Sequence, residues 1–205
     1  MPQSPLSLAQ LPFSQACENN KKPILTLLAK WFVNRQHILE IGSGTGQHSV
    51  YFAEHLTHVR WQPSDQQHYL PPLQSRLSLQ ASANLQPAVP LDVTQQWPQF
   101  TPNIDAIFTA NTLHIMSQTM VEAFFVGIGS VLIHSGSLVV YGPFKYQGHF
   151  TSDSNQQFDS YLQQHNPHSG IRDIEWISQL ALQQGLTLQE DIAMPANNRM
   201  LHFIK

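Results

Sequence analysis

Three glycines occupy alternate positions in the stretch HILEIGSGTGQHSVYFAEHL, residues 37–56. Gly42, Gly44 and Gly46 follow a short apolar run that is typical of a buried strand, and the residues after them have the spacing of an amphipathic helix. Glycine accepts positive φ angles and lets a ligand approach the main chain, while the start of a helix offers backbone N–H donors. The pattern therefore predicts a strand–turn–helix unit that binds an adenosine-type cofactor. A glycine-rich turn without a ligand is the alternative.

Acidic side chains lie where such a cofactor would need them. Asp65 comes about 20 residues beyond Gly46 and just past the next predicted strand, where a carboxylate can accept hydrogen bonds from both ribose hydroxyls. The alternative is an aspartate that forms a turn in residues 63–65. Asp92 follows the third predicted strand, and both a binding role and a structural role are open for it. Glu40 lies in an otherwise apolar strand, where a carboxylate is costly unless hydrogen-bonded, so it favours a site over a plain core.

Strands and helices are predicted to alternate along the chain. The predicted helices cover about residues 18–32, with Pro23 in the first turn, and residues from 174 to just before Gly185, with Asp173 as the cap. The predicted strands lie at residues 38–41, 59–62, 88–91, 104–109, 138–141, 186–192 and 200–204. The alternation predicts one α/β domain over residues 1–205, with a mostly parallel sheet, helices on both faces and ligands at the carboxyl ends of the strands.

The composition of the chain limits the classes of partner. Ten Lys and Arg residues are outnumbered by 13 Asp and Glu residues and the net charge is −3, so we expect no nucleic acid to bind. One cysteine, Cys17, excludes an internal disulfide, and His48, His55 and His58 lack the thiolate or carboxylate that would complete a metal site.

No targeting or membrane segment is predicted. The N-terminus lacks the basic and apolar regions of a signal peptide. An uncharged run over residues 123–144 is long enough to cross a bilayer, but a predicted turn at residues 134–137 breaks it. We therefore expect a cytoplasmic protein that does not enter the membrane.

The spacing of the glycines separates two kinds of adenosine cofactor. In the dinucleotide fingerprint G-x-G-x-x-G the third glycine packs the helix against the strand, and Gln47 occupies that position here. The series E-x-G-x-G-x-G at residues 40–46 instead resembles motif I of the class I S-adenosylmethionine (SAM) methyltransferases, in which the methionine end of the cofactor lies along the loop. The resemblance adds Ser43 to the cofactor-binding residues. It also places Asp92 and Val93 where these enzymes hold the adenine amino group.

Further segments narrow the resemblance to one family. In chain order they are ENNKKPIL, ILEIGSGTGQHSVYFA, WQPSD, LDVT, ANTLHI, YGPF, TSDSNQQFD, GIRD and MPANN. From about Phe13 to Lys205 the chain is similar to the methyltransferase-like 26 family, a domain of unknown function (938). The resemblance implies the Rossmann-like, seven-stranded class I methyltransferase sheet, mostly parallel with an antiparallel last strand. It also implies SAM as cofactor, near Asn20, Lys21 and Asn111.

The methyl acceptor is expected at the same edge of the sheet. The segments after the fourth, fifth and sixth predicted strands leave the sheet there, so Asn111, His114 and the stretches 141–146 and 194–198 are predicted to converge on the methyl group. The acceptor-binding candidates in these stretches are Tyr141, Phe144, Asn197 and Asn198. If the acceptor is a hydroxyl or an ammonium, His114 or Tyr141 could take its proton near neutral pH. A histidine that only supports the structure is the alternative.

The polar insertion at about residues 145–172 is predicted to form a cap over the acceptor, with a solvated surface excursion as the alternative. Asn155, Asp159 and Arg172 are its acceptor-binding candidates. Arg172 could hold a carboxylate or phosphate through two hydrogen bonds. The competing interpretation pairs Arg172 with Asp173 or a nearby carboxylate and uses the asparagines to cap turns.

Three functions fit this sequence. The leading hypothesis is a SAM-dependent methyltransferase that acts on a small molecule by in-line displacement, because the chain lacks a basic surface and its cap carries neutral hydrogen-bonding groups. The alternatives are a methyltransferase for protein side chains and a non-catalytic protein that binds SAM or a nucleoside. The acceptor and the oligomeric state stay open.

Overall fold

A computed structural model describes residues 10–205 of the chain, in six α-helices and ten strands. The helices are α1 (Gln15–Trp31), α2 (Gln47–His55), α3 (Leu70–Leu79), α4 (Gln118–Val131), α5 (Asp153–His165) and α6 (Ile174–Gln183). The strands are β1 (His37–Ile41), β2 (Arg60–Asp65), β3 (Val89–Pro90), β4 (Ile104–Ala110), β5 (Leu132–Gly142), β6 (Phe144–Tyr146), β7 (His149–Phe150), β8 (Arg172–Asp173), β9 (Thr187–Met194) and β10 (Asn198–Ile204).

Seven strands form one sheet in the order β3-β2-β1-β4-β5-β10-β9. The pairs β1–β2, β2–β3 and β4–β5 are parallel, whereas β10 is antiparallel to both of its neighbours. A second, three-stranded sheet has the order β7-β6-β8. The predicted fold class, a mostly parallel Rossmann-like sheet of seven strands with an antiparallel last strand, is confirmed.

The chain divides into two compact units, one ending at Asp92 and the other covering Val93–Lys205. In the first unit every residue of β1 is buried, and the helices contribute Leu28, Phe52 and Leu73 to the core. In the second unit the buried core includes Phe108 of β4 and Phe124 of α4. No helix in the part of the chain that the structure describes is long and apolar enough to cross a membrane.

The first helix begins earlier than the sequence pattern indicates. Ser14 is the N-cap of α1 and accepts a hydrogen bond from the Cys17 N–H, which satisfies one of the free donors at the helix start. Pro23 therefore lies inside α1 and not in its first turn, so its predicted position was wrong.

The second strand ends later than predicted. Residues 63–65 continue β2, because Ser64 pairs with Ile41 of β1 and its hydroxyl donates to the Glu40 carbonyl at 2.7 Å. Asp65 is consequently the last residue of a strand and not part of a turn after it. Both the predicted strand end and the alternative turn at residues 63–65 were wrong.

The fifth strand contains a bulge where the sequence suggests a turn. β5 begins at Leu132, and its pairing with β4 moves from Leu132 opposite Ile104 directly to Ser137 opposite Ala106. The residues between bulge out of the ladder, and Ser135 takes a left-handed φ of 62°. The local break at residues 134–137 was foreseen, but the strand continues on both sides of it.

Two glycines of α4 give a matched test of the packing in the second unit. A Cβ on Gly127 would lie 2.0 Å from Cε2 of the buried Trp97, whereas a Cβ on Gly129 would first meet the flexible end of Gln184 at 2.4 Å. We expect Gly127→Ala to lower the free energy of unfolding by about 1–3 kcal/mol because Trp97 must move. Gly129→Ala should be neutral, or stabilising by up to about 1 kcal/mol through helix propensity. Urea unfolding measures both, and equal midpoints would contradict the packing of Trp97 on Gly127.

Candidate functional site

The glycine turn of the first unit is built from left-handed backbone. Gly42, Gly44 and Gly46 have φ angles of 73°, 53° and 75°, a region that favours glycine. A Cβ on Gly46 would lie 2.8 Å from Leu73 Cδ1, so this glycine lets the turn pack against α3. A Cβ on Gly44 would meet nothing within 4 Å. Gly46 thus serves packing, and Gly44 borders open space.

Asp65 braces this turn. The residue is 9% exposed, and its carboxylate accepts hydrogen bonds from the Gly44 N–H at 2.7 Å and the Gln66 N–H at 2.8 Å. Burial raises the pKa of the Asp65 carboxyl, and these two hydrogen bonds oppose the shift. The carboxylate therefore lies beside the turn at the carboxyl end of β2, as predicted from the sequence. Its contact with a ribose stays a prediction.

Glu40 has internal hydrogen-bond partners. The Ser49 hydroxyl donates to its carboxylate, and Trp61 Nε1 donates at 2.9 Å. Burial raises the pKa of the Glu40 carboxyl, and both hydrogen bonds oppose the shift. Glu40 thus joins β1, α2 and β2. These contacts give the buried carboxyl hydrogen-bond partners without a ligand, so its cofactor role stays a prediction.

Two side chains that sequence reasoning did not select fasten the start of the described chain to the glycine turn. The Gln47 amide accepts from the Ser14 N–H at 2.6 Å and donates to a Glu18 oxygen at 3.0 Å. Arg76 Nε donates to the Thr45 carbonyl at 2.6 Å, and its Nη2 donates to a carbonyl before α1, also at 2.6 Å. The sequence did mark residue 47, because a glutamine stands there in place of the third glycine of the dinucleotide fingerprint. Nothing near Arg76 in the sequence marks its role.

The predicted cofactor residues of α1 lie against α2. Asn20 is buried, and its side-chain oxygen is 2.6 Å from His48 Nε2. Burial lowers the pKa of His48 to about 4, so the ring is neutral at pH 7. Lys21 pairs with Glu18 at 2.5 Å and lies 4.8 Å from the centre of the Tyr51 ring. Both residues border the helix that follows the glycine turn, and their contact with a cofactor stays a prediction.

The other predicted cofactor residues flank these elements. Ser43 donates its backbone N–H to the Ser64 carbonyl at 3.0 Å, which fixes the turn to the end of β2. Pro90 of β3 pairs with Asp65, so the partly exposed Asp92 follows at the same edge of the first unit. Val93 is buried and begins the second unit. Binding of adenine by Asp92 and Val93 stays a prediction.

In the second unit a turn follows β4. Asn111 has a left-handed φ of 59°, and its N–H donates to the Tyr141 carbonyl at 2.8 Å. Tyr141 and Phe144 are both buried. The turn therefore starts beside the end of β5. The predicted contacts of Asn111, Tyr141 and Phe144 with the cofactor or the acceptor stay predictions.

His114 lies in this turn, and its ring is nearly enclosed. The residue is 6% exposed, and the ring meets the Phe158 ring edge-on with 5.3 Å between centroids. Burial and the nearby Arg172 charge lower the pKa of His114 to about 4. Within residues 10–205 no group hydrogen-bonds to the His114 ring. The ring is therefore neutral and a weaker base than we expected for a histidine that titrates near pH 7.

Arg172 binds the protein's own backbone, and its predicted contact with a carboxylate or phosphate stays a prediction. Its Nε donates to the Leu113 carbonyl at 3.2 Å, and its Nη2 donates to the carbonyls of Met116 and, at 2.8 Å, His168. These backbone oxygens bind Nε and Nη2 of the guanidinium. The pairing of Arg172 with Asp173, the competing interpretation, is also not what holds it. Arg172 fixes the turn that carries His114.

Neighbouring groups complete that fixation. The Gly170 N–H donates to the His114 carbonyl and the Ser169 hydroxyl donates to the Ile115 carbonyl, both at 2.8 Å. Together with Arg172, they bind four successive carbonyls of the turn. Asp159 supports the same segment by accepting from the Ile171 N–H at 2.6 Å. Asp159 is thus a structural acceptor, and its predicted contact with the methyl acceptor has no support from this geometry.

The three candidate asparagines donate hydrogen bonds within the protein, and two of them, Asn155 and Asn197, bind each other's segments. Asn155 donates to the Asn197 carbonyl at 3.0 Å, Asn197 donates to the Ser154 hydroxyl at 3.1 Å, and Asn198 donates to the Pro195 carbonyl at 3.2 Å. These contacts agree with the competing interpretation, in which the asparagines hold turns. They also tie the start of α5, within the predicted cap, to the turn after β9. Acceptor binding by these side chains stays a prediction.

The described residues 10–205 contain no group of three His, Cys, Asp or Glu side chains that could hold a metal ion.

Solved structures resemble this chain in fold. An O-methyltransferase family protein from Burkholderia thailandensis matches with a TM-score of 0.78 and 10% identity, over 90% of this chain and 56% of that chain. The mitomycin 7-O-methyltransferase MmcR matches with a TM-score of 0.74 and 16% identity, over 88% of this chain and 53% of that chain. NcsB1 is an O-methyltransferase from neocarzinostatin biosynthesis, in complex with SAM and 2-hydroxy-5-methyl naphthoic acid. It matches with a TM-score of 0.75 and 13% identity, over 92% of this chain and 54% of that chain.

This chain spans a little over half the length of each of these structures. At such low identity the likeness establishes the Rossmann-like methyltransferase fold. A family model described as "Protein of unknown function (DUF938)" matches residues 11–205. Because that match covers nearly the whole chain, the protein belongs to the DUF938 family.

Proposed function

We propose that this protein is a SAM-dependent methyltransferase that acts on a small-molecule acceptor. The observation that carries the proposal is the glycine turn after β1, in which Gly44 borders open space and donates its N–H to the carboxylate of Asp65. A ligand can approach the main chain at Gly44, and a carboxylate lies beside it to accept hydroxyl hydrogen bonds. These are the two features that an adenosine-type cofactor requires.

The turn fits SAM better than a dinucleotide. Gln47 is the first residue of α2, at the position where the dinucleotide fingerprint needs a glycine for close packing of helix on strand. Its buried side chain instead binds the main chain at Ser14. SAM carries no pyrophosphate, so a turn with this side chain can still accommodate it.

The chemistry places few demands on the protein. SAM, when bound, supplies a methyl group on a sulfonium, which an acceptor nucleophile displaces in line. The residues of the chain have to bind both molecules, align them and exclude water. Gly44 and Asp65 are the cofactor residues of this proposal, and His114 is the residue proposed to bind the acceptor.

A comparison and the charge of the chain support a small acceptor. NcsB1, which shares the fold, is recorded with a small aromatic molecule and SAM. With a net charge of −3, the chain also offers no excess of basic groups for nucleic acid.

Alanine at Gly44 and at Gly46 should have different effects. Both substitutions place a side chain at a left-handed φ, which costs about 1–2 kcal/mol. Gly46→Ala also clashes with Leu73, so we expect a total loss of about 2–5 kcal/mol in the free energy of unfolding. Gly44→Ala meets no protein atom, so we expect the smaller loss but a fall in SAM affinity of about tenfold or more.

Urea unfolding and titration calorimetry with SAM measure these two effects. Wild-type SAM affinity in Gly44→Ala would mean that the open space at Gly44 is not the cofactor site.

Removal of the Asp65 carboxylate should weaken SAM binding. Asp65→Ala loses one or two charge-assisted hydrogen bonds to the ribose, each worth on the order of 1.5–3 kcal/mol, so we expect a loss of at least about tenfold in affinity. Because Asp65 also braces Gly44, affinity alone does not separate the two roles. A comparison of adenosine with 2′,3′-dideoxyadenosine separates these roles, because only adenosine carries the ribose hydroxyls.

We expect wild-type protein to prefer adenosine, and Asp65→Ala to bind both nucleosides equally weakly, as measured by ligand-observed NMR. If the variant kept the preference for adenosine, Asp65 would be a brace for the turn and not a ribose ligand.

A further inference from the structure

A short strap of chain, residues 11–14, precedes α1 and hydrogen-bonds to side chains at the glycine turn of the first unit. Leu11 at the start of the strap is 6% exposed, but Pro12 is exposed and Phe13 is 65% exposed. These two residues bury little apolar surface, so hydrophobic packing contributes little to their attachment. This part of the strap depends on its polar contacts.

Two side chains supply those contacts. Arg76 Nη2, on α3, donates to the Pro12 carbonyl at 2.6 Å. The side-chain amide of Gln47, the first residue of α2, binds both backbone groups of Ser14: its oxygen accepts from the N–H at 2.6 Å, and its nitrogen donates to the carbonyl at 3.2 Å. The net contribution of each hydrogen bond to stability is small. Docking of the strap is therefore sensitive to changes in these few contacts.

The same two side chains also bind the glycine turn. Arg76 Nε donates to the Thr45 carbonyl at 2.6 Å, and the Thr45 hydroxyl donates to the Gln47 side-chain oxygen at 3.1 Å. Thr45 stands between Gly44, which borders open space, and Gly46, beside which the Arg76 side chain packs. A change in the main chain at Thr45 thus reaches the strap through both side chains.

From these contacts we infer that Arg76 is a positioning residue for the cofactor, which couples the binding of SAM at Gly44 to the docking of the strap. This inference rests on the proposed function. A ligand in the open space at Gly44 restricts the main chain of the turn, and with it the Thr45 carbonyl that Arg76 binds. Coupling between two sites is reciprocal. SAM should therefore hold the strap more firmly, and release of the strap should weaken SAM binding.

The Ser14 amide reports directly on the strap, because its N–H donates to a side chain 33 positions further along the chain. We expect saturating SAM to slow hydrogen exchange of the Ser14 amide in wild-type protein by about threefold or more. NMR-detected hydrogen exchange without and with SAM measures this effect.

Substitution of Arg76 should weaken both ends of the coupling. Arg76→Met keeps an apolar stem and loses the hydrogen bonds to the strap, to the turn and to Gln80. We expect its SAM affinity, measured by calorimetry, to fall about three- to tenfold, and the effect of SAM on Ser14 exchange to shrink or disappear. Arg76→Lys keeps the charge and can bind one of the two carbonyls, so it should restore part of both effects.

A second variant tests the link without a change at Arg76. Gln47→Leu removes both contacts with Ser14, and its SAM affinity should also fall about three- to tenfold. The control is Arg60→Met. Arg60 is the exposed first residue of β2 and belongs to neither the strap nor the turn, so this variant should match the wild type in SAM affinity and in Ser14 exchange.

Intact SAM binding by wild-type protein with no change in Ser14 exchange would overturn the inference and leave the proposed function standing. Wild-type SAM affinity in both Arg76→Met and Gln47→Leu would overturn it as well. If urea unfolding shows that Arg76→Met does not fold, Arg76→Lys and Gln47→Leu decide between the same outcomes. Failure of wild-type protein to bind SAM would instead refute the proposed function.

Discussion

The hydrogen bond from the Gly44 N–H to the Asp65 carboxylate joins the ends of two parallel strands at the point where the chain leaves both of them. It needs a backbone that turns through left-handed conformations, which glycine adopts without strain. It also needs β2 to continue as far as Asp65, which Ser64 secures by binding the Glu40 carbonyl and accepting from the Gly42 N–H. The shape of the proposed cofactor site depends on this single contact.

The surroundings of that contact are held by buried polar groups. Glu40 links β1 to α2 and β2 through Ser49 and Trp61, and Arg76 holds the Thr45 carbonyl from α3. Each of these groups is costly to bury alone and stabilising when paired, so the turn has few alternative conformations. A rigid turn binds a ligand without a large loss of conformational entropy.

The second unit shows the same use of polar groups, with one exception. Arg172, Ser169 and Gly170 bind the backbone carbonyls of the turn after β4. The ring of His114, which this turn carries, is left without a hydrogen bond in the described part of the chain. The turn that carries His114 is thus fixed on its main-chain side by residues more than fifty positions further along the chain.

Local sequence patterns predicted the features of the structure that depend on residues close together in the chain. The alternate glycines, the apolar run of β1 and the carboxylate at the end of β2 were all identified, because glycine conformation and strand burial leave direct signals. The family resemblance and the fold class were also correct. The start of α1 was missed because the cap is Ser14, and a proline inside a helix is read as a helix start.

Partners that are distant in sequence were not predictable in this way. Arg172 looked like a ligand clamp, but its acceptors are the carbonyls of Leu113 and Met116, more than fifty residues earlier. Arg76 and Gln47 hold the start of α1 through contacts that no spacing in the sequence indicates. The environment of His114 likewise depends on distant residues: the Phe158 ring of α5 meets its ring, and burial together with the Arg172 charge lowers its pKa.

Native mass spectrometry of the purified protein with equal concentrations of SAM and NAD tests the central claim most directly. We expect a one-to-one complex with SAM and none with NAD, because the glycine turn accommodates an adenosine cofactor without a pyrophosphate. A complex with NAD in preference to SAM, or no complex with either, would contradict the account.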